Sequence, residues 1–257
     1  MESLKNPLVL ITGASSGIGQ SCAAEFANHG CNLLLVARRK DRISDLGRRL
    51  EGEHNIRVHT LQLDIRNNKD VANAFSSLPP EWKRVDILVN NAGLARGLER
   101  LQEGNVEDWE EMIDTNVKGL LYVTRAILPD MVKRNRGHII NIGSIAGHQT
   151  YPMGNVYCAT KFAVTGLTQS LKMDLLGTAV RVSSVDPGLV ETEFSPVRFR
   201  GDMTRASKTY AGMTPLSPED VAEVVVFCTM RPVHVNISEI IVLPTDQASV
   251  SMVHRRE

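Results

Sequence analysis

Seven short runs of β-branched and other apolar residues recur along the chain: "PLVLITG" (7–13), "CNLLLVA" (31–37), "RVHTLQLD" (57–64), "VDILVNNAG" (85–93), "GHIINIGS" (137–144), "VRVSSVDPG" (180–188) and "SEIIVLP" (238–244). Longer stretches of helical pattern separate them. Several runs are apolar almost continuously rather than alternately, so such a strand must be covered on both faces. Helices that carry the chain from one strand to a parallel neighbour supply that cover. The rhythm predicts one α/β fold: a Rossmann-type, doubly wound parallel sheet of seven strands with helices on both faces.

No internal repeat, low-complexity tract or long Pro/Gly/Ser linker interrupts the rhythm, which assigns residues 1–257 to a single domain. One stretch departs from it, "ETEFSPVRFRGDMTRASKTYAGMTPLSPED" at 191–220. Rich in charge and turn formers, it is too long for a tight connection and reads as a lid over a site. Lys plus Arg and Asp plus Glu balance at 29 each. No global field therefore draws the chain to nucleic acid or to an anionic membrane, and anion binding must be local. Cys22, Cys31, Cys158 and Cys228 form no CxxC pair and read as reduced, packed thiols of a cytoplasmic protein. His29, His54 and His59 make no metal-like cluster with acids or cysteines, so no metal is expected.

The first run ends in "TGASSGIG", where Gly13, Gly17 and Gly19 open a helix expected to begin near Gln20. A glycine-rich turn from strand to helix lets backbone N–H groups reach a pyrophosphate, and the helix N-terminus adds partial positive charge. An acid about twenty residues beyond the glycines would select NAD. Ala37, Arg38 and Arg39 stand at that place instead. A guanidinium there pairs with the 2′-phosphate of NADP.

These features join a larger set: "TGASSGIG", "NNAG" at 90–93, Asn116, Ser144, Tyr157 with Lys161 in "NVYCATKFAV", and "DPG" at 186–188. Together, in this order and spacing, they resemble the classical short-chain dehydrogenase/reductase family over almost the entire chain. "NVEDWEEMIDTNVKGL", "MVKRNRGHIINIGS" and "GLVETEFSPVRFRGD" are similar to the subgroup of NADP-dependent 3-hydroxy acid dehydrogenases acting on serine and allo-threonine. The resemblance implies that Ser144 holds the substrate oxygen, that Tyr157 is the acid–base group, and that Asn116 helps a water chain reach Lys161. For the cofactor it implies contacts from Gly13, Ser15, Ser16, Gly17, Ile18 and Gly19, from Arg38 and Arg39, and from Tyr157 and Lys161. Asp64 is the implied adenine contact. Asn90 positions the nicotinamide ribose and neighbouring strands, and Pro187, Gly188 and Thr192 meet the carboxamide.

Free tyrosine has a pKa near 10, so only about one phenol in a thousand is ionised at pH 7. Lys161, one helical turn on and on the same face, is expected to stabilise the phenolate and bring Tyr157 toward useful acid–base range. A 3-hydroxy acid also carries a carboxylate, for which Arg198 in "SPVRFRG" is the candidate partner and Arg200 its competitor. A broader carbonyl or 3-oxoacyl reductase is the alternative activity. A non-catalytic NADP sensor is a reading from a different class; it would need only the phosphate and ribose contacts, whereas here Asn116, Ser144, Tyr157 and Lys161 are all present. The helices around 106–120 and 156–176 carry apolar residues on more than one face, and relatives pair such helices in tetramers, so a homotetramer is expected.

Overall fold

Val9, Ile11, Leu33 and Leu35 pack on one face of a central sheet, and Leu8, Leu10, Leu34 and Val36 on the other; all eight are buried. The near-continuous apolar runs thus serve two cores at once. The protein, a computed structural model that describes residues 6–256, begins with β1 (Leu8–Thr12), α1 (Gly17–Asn28), β2 (Asn32–Ala37), α2 (Lys40–Glu53), β3 (Val58–Gln62), α3 (Asn68–Ser76) and β4 (Ile87–Asn90). It continues through α4 (Val106–Ile113), α5 (Leu120–Lys133), β5 (Gly137–Ile142), α6 (Asn155–Asp174) and β6 (Val180–Pro187). Then come α7 (Phe194–Arg198), α8 (Met203–Lys208), α9 (Pro218–Thr229) and β7 (Glu239–Val242).

The seven strands are parallel throughout, in the order β3-β2-β1-β4-β5-β6-β7. One core packs Cys22 and Phe26 of α1, Ile43 and Leu50 of α2 and Val221 and Val225 of α9 on the sheet. The opposite core packs Val71 and Phe75 of α3 and Val123, Ile127 and Met131 of α5. Truncating a fully buried strand residue such as Leu34 to Ala would cost about 2–5 kcal/mol. Edge strands β3 and β7 are only partly buried. All four cysteines are buried and free, as the absence of a CxxC pair suggested.

The chain winds outward from β1 in both directions, so a crevice opens where the carboxyl ends of β1 and β4 part, the usual ligand position in such sheets. The 191–220 stretch is more regular than its composition indicated. It contains α7 and α8, and its end is the start of α9, fixed by a capping box of Ser217 and Asp220 with Pro218 at the first helical position. Among the described residues no helix is long and apolar enough to cross a membrane.

Candidate active site

A cavity of about 640 Å³ runs along the carboxyl ends of the strands, from Arg38 and Arg39 past the glycine turn to Tyr157 and Lys161. Its first wall is built by close approach. Gly13 (φ 66°) has no room for a side chain, because a Cβ would meet Ala92 Cα and Asn91 Nδ2 at 2.9 Å. A Cβ on Gly19 would collide with the same Asn91 amide. That amide donates to Thr12 O at 2.9 Å and Gly13 O at 3.3 Å, tying the turn to the end of β4.

α1 starts at Gly17, three residues before the helical pattern suggested, so Gly17 and Gly19 fall in its first turn. Its N-cap, Ser16, gives no side-chain cap, and no acid lies in the first turn. The leading N–H groups and the positive end of the helix are thus left to an external anion. Arg39 reinforces that end: its guanidinium donates to Ser15 Oγ (2.8 Å) and Ser16 Oγ (2.6 Å). Ser15, Ser16, Gly17, Ile18, Arg38 and Arg39 all line the cavity. Arg38 has a neighbour the local sequence concealed, Glu111 of α4 at 3.9 Å, which also pairs with Arg66 and Arg96. Asp64 lines the cavity too, with its carboxyl held below the ordinary range first by its hydrogen bond from Arg66.

The floor lies under β5, β6 and α6. Ser144 lies two residues beyond β5, is buried, and accepts from Ala146 N–H at 3.1 Å while its hydroxyl faces Pro187 O at 3.4 Å. Tyr157 lines the same cavity as Ser144. Lys161, one turn along α6, is buried and donates from Nζ to Ile142 O at 2.9 Å. Burial lowers the Lys161 ammonium to about 8, against the attraction of buried Asp186. The expected lowering of Tyr157 is reversed here. Burial pushes its phenol above the ordinary value, the Tyr151 phenol adds to this, and the Ser144 hydroxyl and Arg198 oppose it only in part. The physical reason is geometric: Lys161 Nζ lies 6.0 Å from the centre of the Tyr157 ring and gives its hydrogen bond to the backbone.

Asn116 sits in a π turn at Asp114–Gly119 between α4 and α5, where a regular helix was expected. Such turns recur at functional sites. Its amide accepts from Leu94 N–H and donates to Leu94 O, both at 2.8 Å, and to Thr160 Oγ1 at 3.0 Å. Asn116 Oδ1 and Lys161 Nζ flank Gly93, at 3.3 and 3.8 Å from where its Cβ would be. Asn90 divides from its expected role. Its side chain is buried in the sheet, donating to Thr124 Oγ1 and Asn141 Oδ1 at 2.9 Å, so it joins strand to strand and to α5. It does not line the cavity; Asn91, Ala92, Gly93 and Leu94 do.

Residues 192–195 and 197–199 line the cavity. Pro187, Gly188 and Thr192 line it, and Thr192 Cβ lies 3.2 Å from where a Gly17 Cβ would be. Phe194 meets the Tyr157 ring edge-on at 5.6 Å. Arg198 lines the cavity with its guanidinium carbon 5.8 Å from the Tyr157 ring and 5.6 Å from the Tyr151 ring, while Nε donates to Gly97 O at 2.8 Å. Arg200 is outside, paired with Asp108 of α4. The local pattern did not reveal Tyr151, Glu111 or Glu193, nor Gln247, Val250 and Arg255 from the end of the chain, all of which are tertiary neighbours. His148, Asp186 and Glu239 also gather, with His148 Nε2 2.9 Å from Asp186 Oδ2. None of these three is among His29, His54 and His59.

Residues 7–201 match the family model described as short chain dehydrogenase. The chain is 50% identical over 250 residues to an NADP-dependent 3-hydroxy acid dehydrogenase of Salmonella typhi, covering 96% of this chain and 99% of that one. It is 45% identical over 242 residues to sulfoacetaldehyde reductase 2 of Chromohalobacter salexigens, covering 94% and 95%. Among solved structures, the closed form of serine dehydrogenase complexed with NADP+ superposes with a TM-score of 0.90 at 47% identity, covering 97% of this chain and all of that one.

Proposed function

The chain belongs to the short chain dehydrogenase family, and from that premise we propose that it is an NADP-dependent oxidoreductase acting on the hydroxyl, or the corresponding carbonyl, of a small 3-hydroxy acid such as serine, allo-threonine or 3-hydroxypropionate. NADP is the cofactor, and the residues present suit it. The uncapped start of α1 and the glycine turn, closed to any side chain, suit a pyrophosphate, and Arg38 and Arg39 suit a 2′-phosphate. A cofactor bound there would supply the hydride acceptor for alcohol oxidation, as NADP+, or the hydride donor for carbonyl reduction, as NADPH. Asp64 is assigned to the adenine end and Pro187, Gly188 and Thr192 to the carboxamide end.

The protein's own residues handle the proton and the orientation. Ser144 holds the reacting oxygen of the substrate in line with Tyr157. Tyr157, kept neutral by burial, donates its proton to that oxygen as a carbonyl is reduced; alcohol oxidation runs the same hydrogen bond in reverse. Lys161, lowered to about 8, stays mostly protonated at neutral pH and favours the phenolate that remains after transfer. Asn116 is assigned to lead water toward Lys161 behind Gly93.

One observation carries the substrate class. Arg198 places a cation beside the acid–base phenol, at 5.8 Å from its ring, where it can take a carboxylate two carbons from the reacting carbon. The same fork would take a sulfonate, and the similarity to a sulfoacetaldehyde reductase favours a second reading in which a small anionic aldehyde is reduced. We also assign residues 1–257 to one domain with a lid at 191–220, and the chain to a cytoplasmic homotetramer. For the tetramer, Leu121 of α5, Phe162 and Met173 of α6 and Leu176 just beyond it expose apolar surface, Leu176 to 90%.

The deciding assay follows nicotinamide absorbance as serine, allo-threonine and 3-hydroxypropionate are oxidised with NADP+ or NAD+, and as sulfoacetaldehyde is reduced with NADPH or NADH, against a neutral alcohol or aldehyde of equal size. Turnover of the anionic substrates with the 2′-phosphorylated cofactor, in the matching redox state, is expected. Equal kcat/KM on the neutral alcohol would refute recognition of the acid, and a monomeric mass in light scattering would refute the tetramer.

A further inference from the structure

A guanidinium has five N–H donors, and those of Arg39 are largely committed. Nε reaches Ser15 Oγ at 3.0 Å, Nη2 reaches Ser15 and Ser16, and Nη1 reaches Glu193 Oε2 at 2.8 Å. The second oxygen of Glu193 accepts from Arg42 Nη1 at 2.6 Å. One carboxylate of the covering segment therefore bridges two arginines at the junction of β2 and α2. Their hydrogen bonds, Arg39 first and Arg42 second, hold the Glu193 carboxyl below its ordinary range, so it is an anion at neutral pH.

That anion shares the guanidinium assigned above to the 2′-phosphate. A phosphate monoester carries about −1.5 to −2 charges at neutral pH, so the two groups repel on one fork. Ser15 and Ser16 are neutral and need not leave. Glu193 is the partner that must yield, and Arg42 can keep it. Its chain neighbours lie at both ends of the site: Thr192 is packed on the glycine turn and Phe194 on the ring of Tyr157. A shift of Glu193 is thereby felt at both places.

Resting on the NADP reading, we propose that Glu193 is a specificity-determining residue: it yields Arg39 to the 2′-phosphate, so that this phosphate, rather than the remainder of the dinucleotide, resets the segment covering the substrate. NAD, lacking the phosphate, leaves the Arg39–Glu193 pair in place.

The test is calorimetric binding of NADP, NAD, 2′,5′-ADP and 5′-AMP to the wild-type protein and to Glu193→Gln. The variant should bind NADP and 2′,5′-ADP about 3- to 10-fold more tightly, with NAD and 5′-AMP unchanged. Hydrogen exchange at Phe194–Arg198 should respond to NADP differently from NAD in the wild type and alike in the variant. Weaker NADP binding by Glu193→Gln would overturn the proposal, since Glu193 would then be orienting Arg39 for the phosphate; equal changes for NADP and NAD would overturn it too. Should Glu193→Gln fail to fold, Glu193→Ser, also uncharged, is put through the same titrations. A wild type without preference for NADP overturns the cofactor reading and this proposal together, whereas a preserved preference that the variant leaves unmoved overturns the exchange alone.

Discussion

The floor of the cavity and its rim hold their polar groups in opposite ways. On the floor, Lys161, Asn116 and Ser144 are buried and each is bound to a backbone group: Ile142 O, both polar groups of Leu94, and Ala146 N–H. On the rim, Arg38, Arg39, Arg42 and Glu193 are paired with one another or with Glu111, and remain substantially solvated. A buried group with a fixed backbone partner has one position, and removing that partner leaves an unsatisfied group at full desolvation cost. A solvated ion pair is worth little and can change partners. Chemistry that needs fixed geometry is thus on the floor, and recognition that must form and release is on the rim.

The sharpest way to break this contrast is to remove the floor's proton. Tyr157→Phe should lower kcat about 10²- to 10⁴-fold with NADP binding little changed. A variant within tenfold of wild type in single-turnover measurements would take the phenol out of the reaction. Arg198 lies between the two regions, its Nε tied to Gly97 O and its fork facing the cavity. Arg198→Ala should cost roughly 2–4 kcal/mol in kcat/KM on a 3-hydroxy acid, and less on a neutral alcohol. Arg200→Ala should stay within about 0.5 kcal/mol on both, as expected for a rim residue outside the cavity. Equal losses on charged and neutral substrates would make Arg198 a support of the covering segment.

Floor desolvation also has a pH signature. Lys161 is lowered from 10.5 to about 8 in the folded protein, so between these values the unfolded chain binds the extra proton. Stability from this group is complete above pH 10.5 and is lost as pH falls through about 8. The whole swing is roughly 3 kcal/mol. Urea melts of wild type and Lys161→Met should therefore converge as the pH is raised from 7.5 toward 10, with the variant the more stable at the lower end; parallel curves would show that Lys161 is not desolvated. A smaller loss is expected at the cofactor end of the rim. Arg38→Asp with Arg39→Ala should raise the KM for NADP by an amount corresponding to about 1.5–3 kcal/mol and leave that for NAD nearly unchanged. Equal shifts would detach these arginines from the 2′-phosphate.

What could be foreseen from the chain followed the same division. All seven strands were legible because continuous apolar runs demand two-sided cover, and Tyr157 and Lys161 because a helical repeat places them together whatever surrounds them. Distant contacts were less legible. The π turn at Asn116 departs from regular helix only through its neighbours, and the upward push on Tyr157 comes from burial to which the edge-on Phe194 ring contributes. Glu111 and Glu193 approach Arg38 and Arg39 from elements far along the chain. Asn90 was assigned from "NNAG" to both sheet and cofactor, but alternation along a strand sends neighbouring side chains to opposite sides. Asn90 faces the sheet interior and Asn91 the glycine turn.

The Asn91 amide bears on the order in which this protein assembles. It closes the turn after β1 from 79 residues away, through its bond to Thr12 O. A nascent chain that has made only β1, α1 and β2 therefore has the glycines but not the strut that sets their backbone, and it must close a long loop before the strut arrives. Phosphate affinity is accordingly expected late, with the docking of β4. In stopped-flow refolding, binding of 2′,5′-ADP should lag helix formation seen by circular dichroism; binding that develops in the earliest phase would mean that the first βαβ unit shapes the turn by itself.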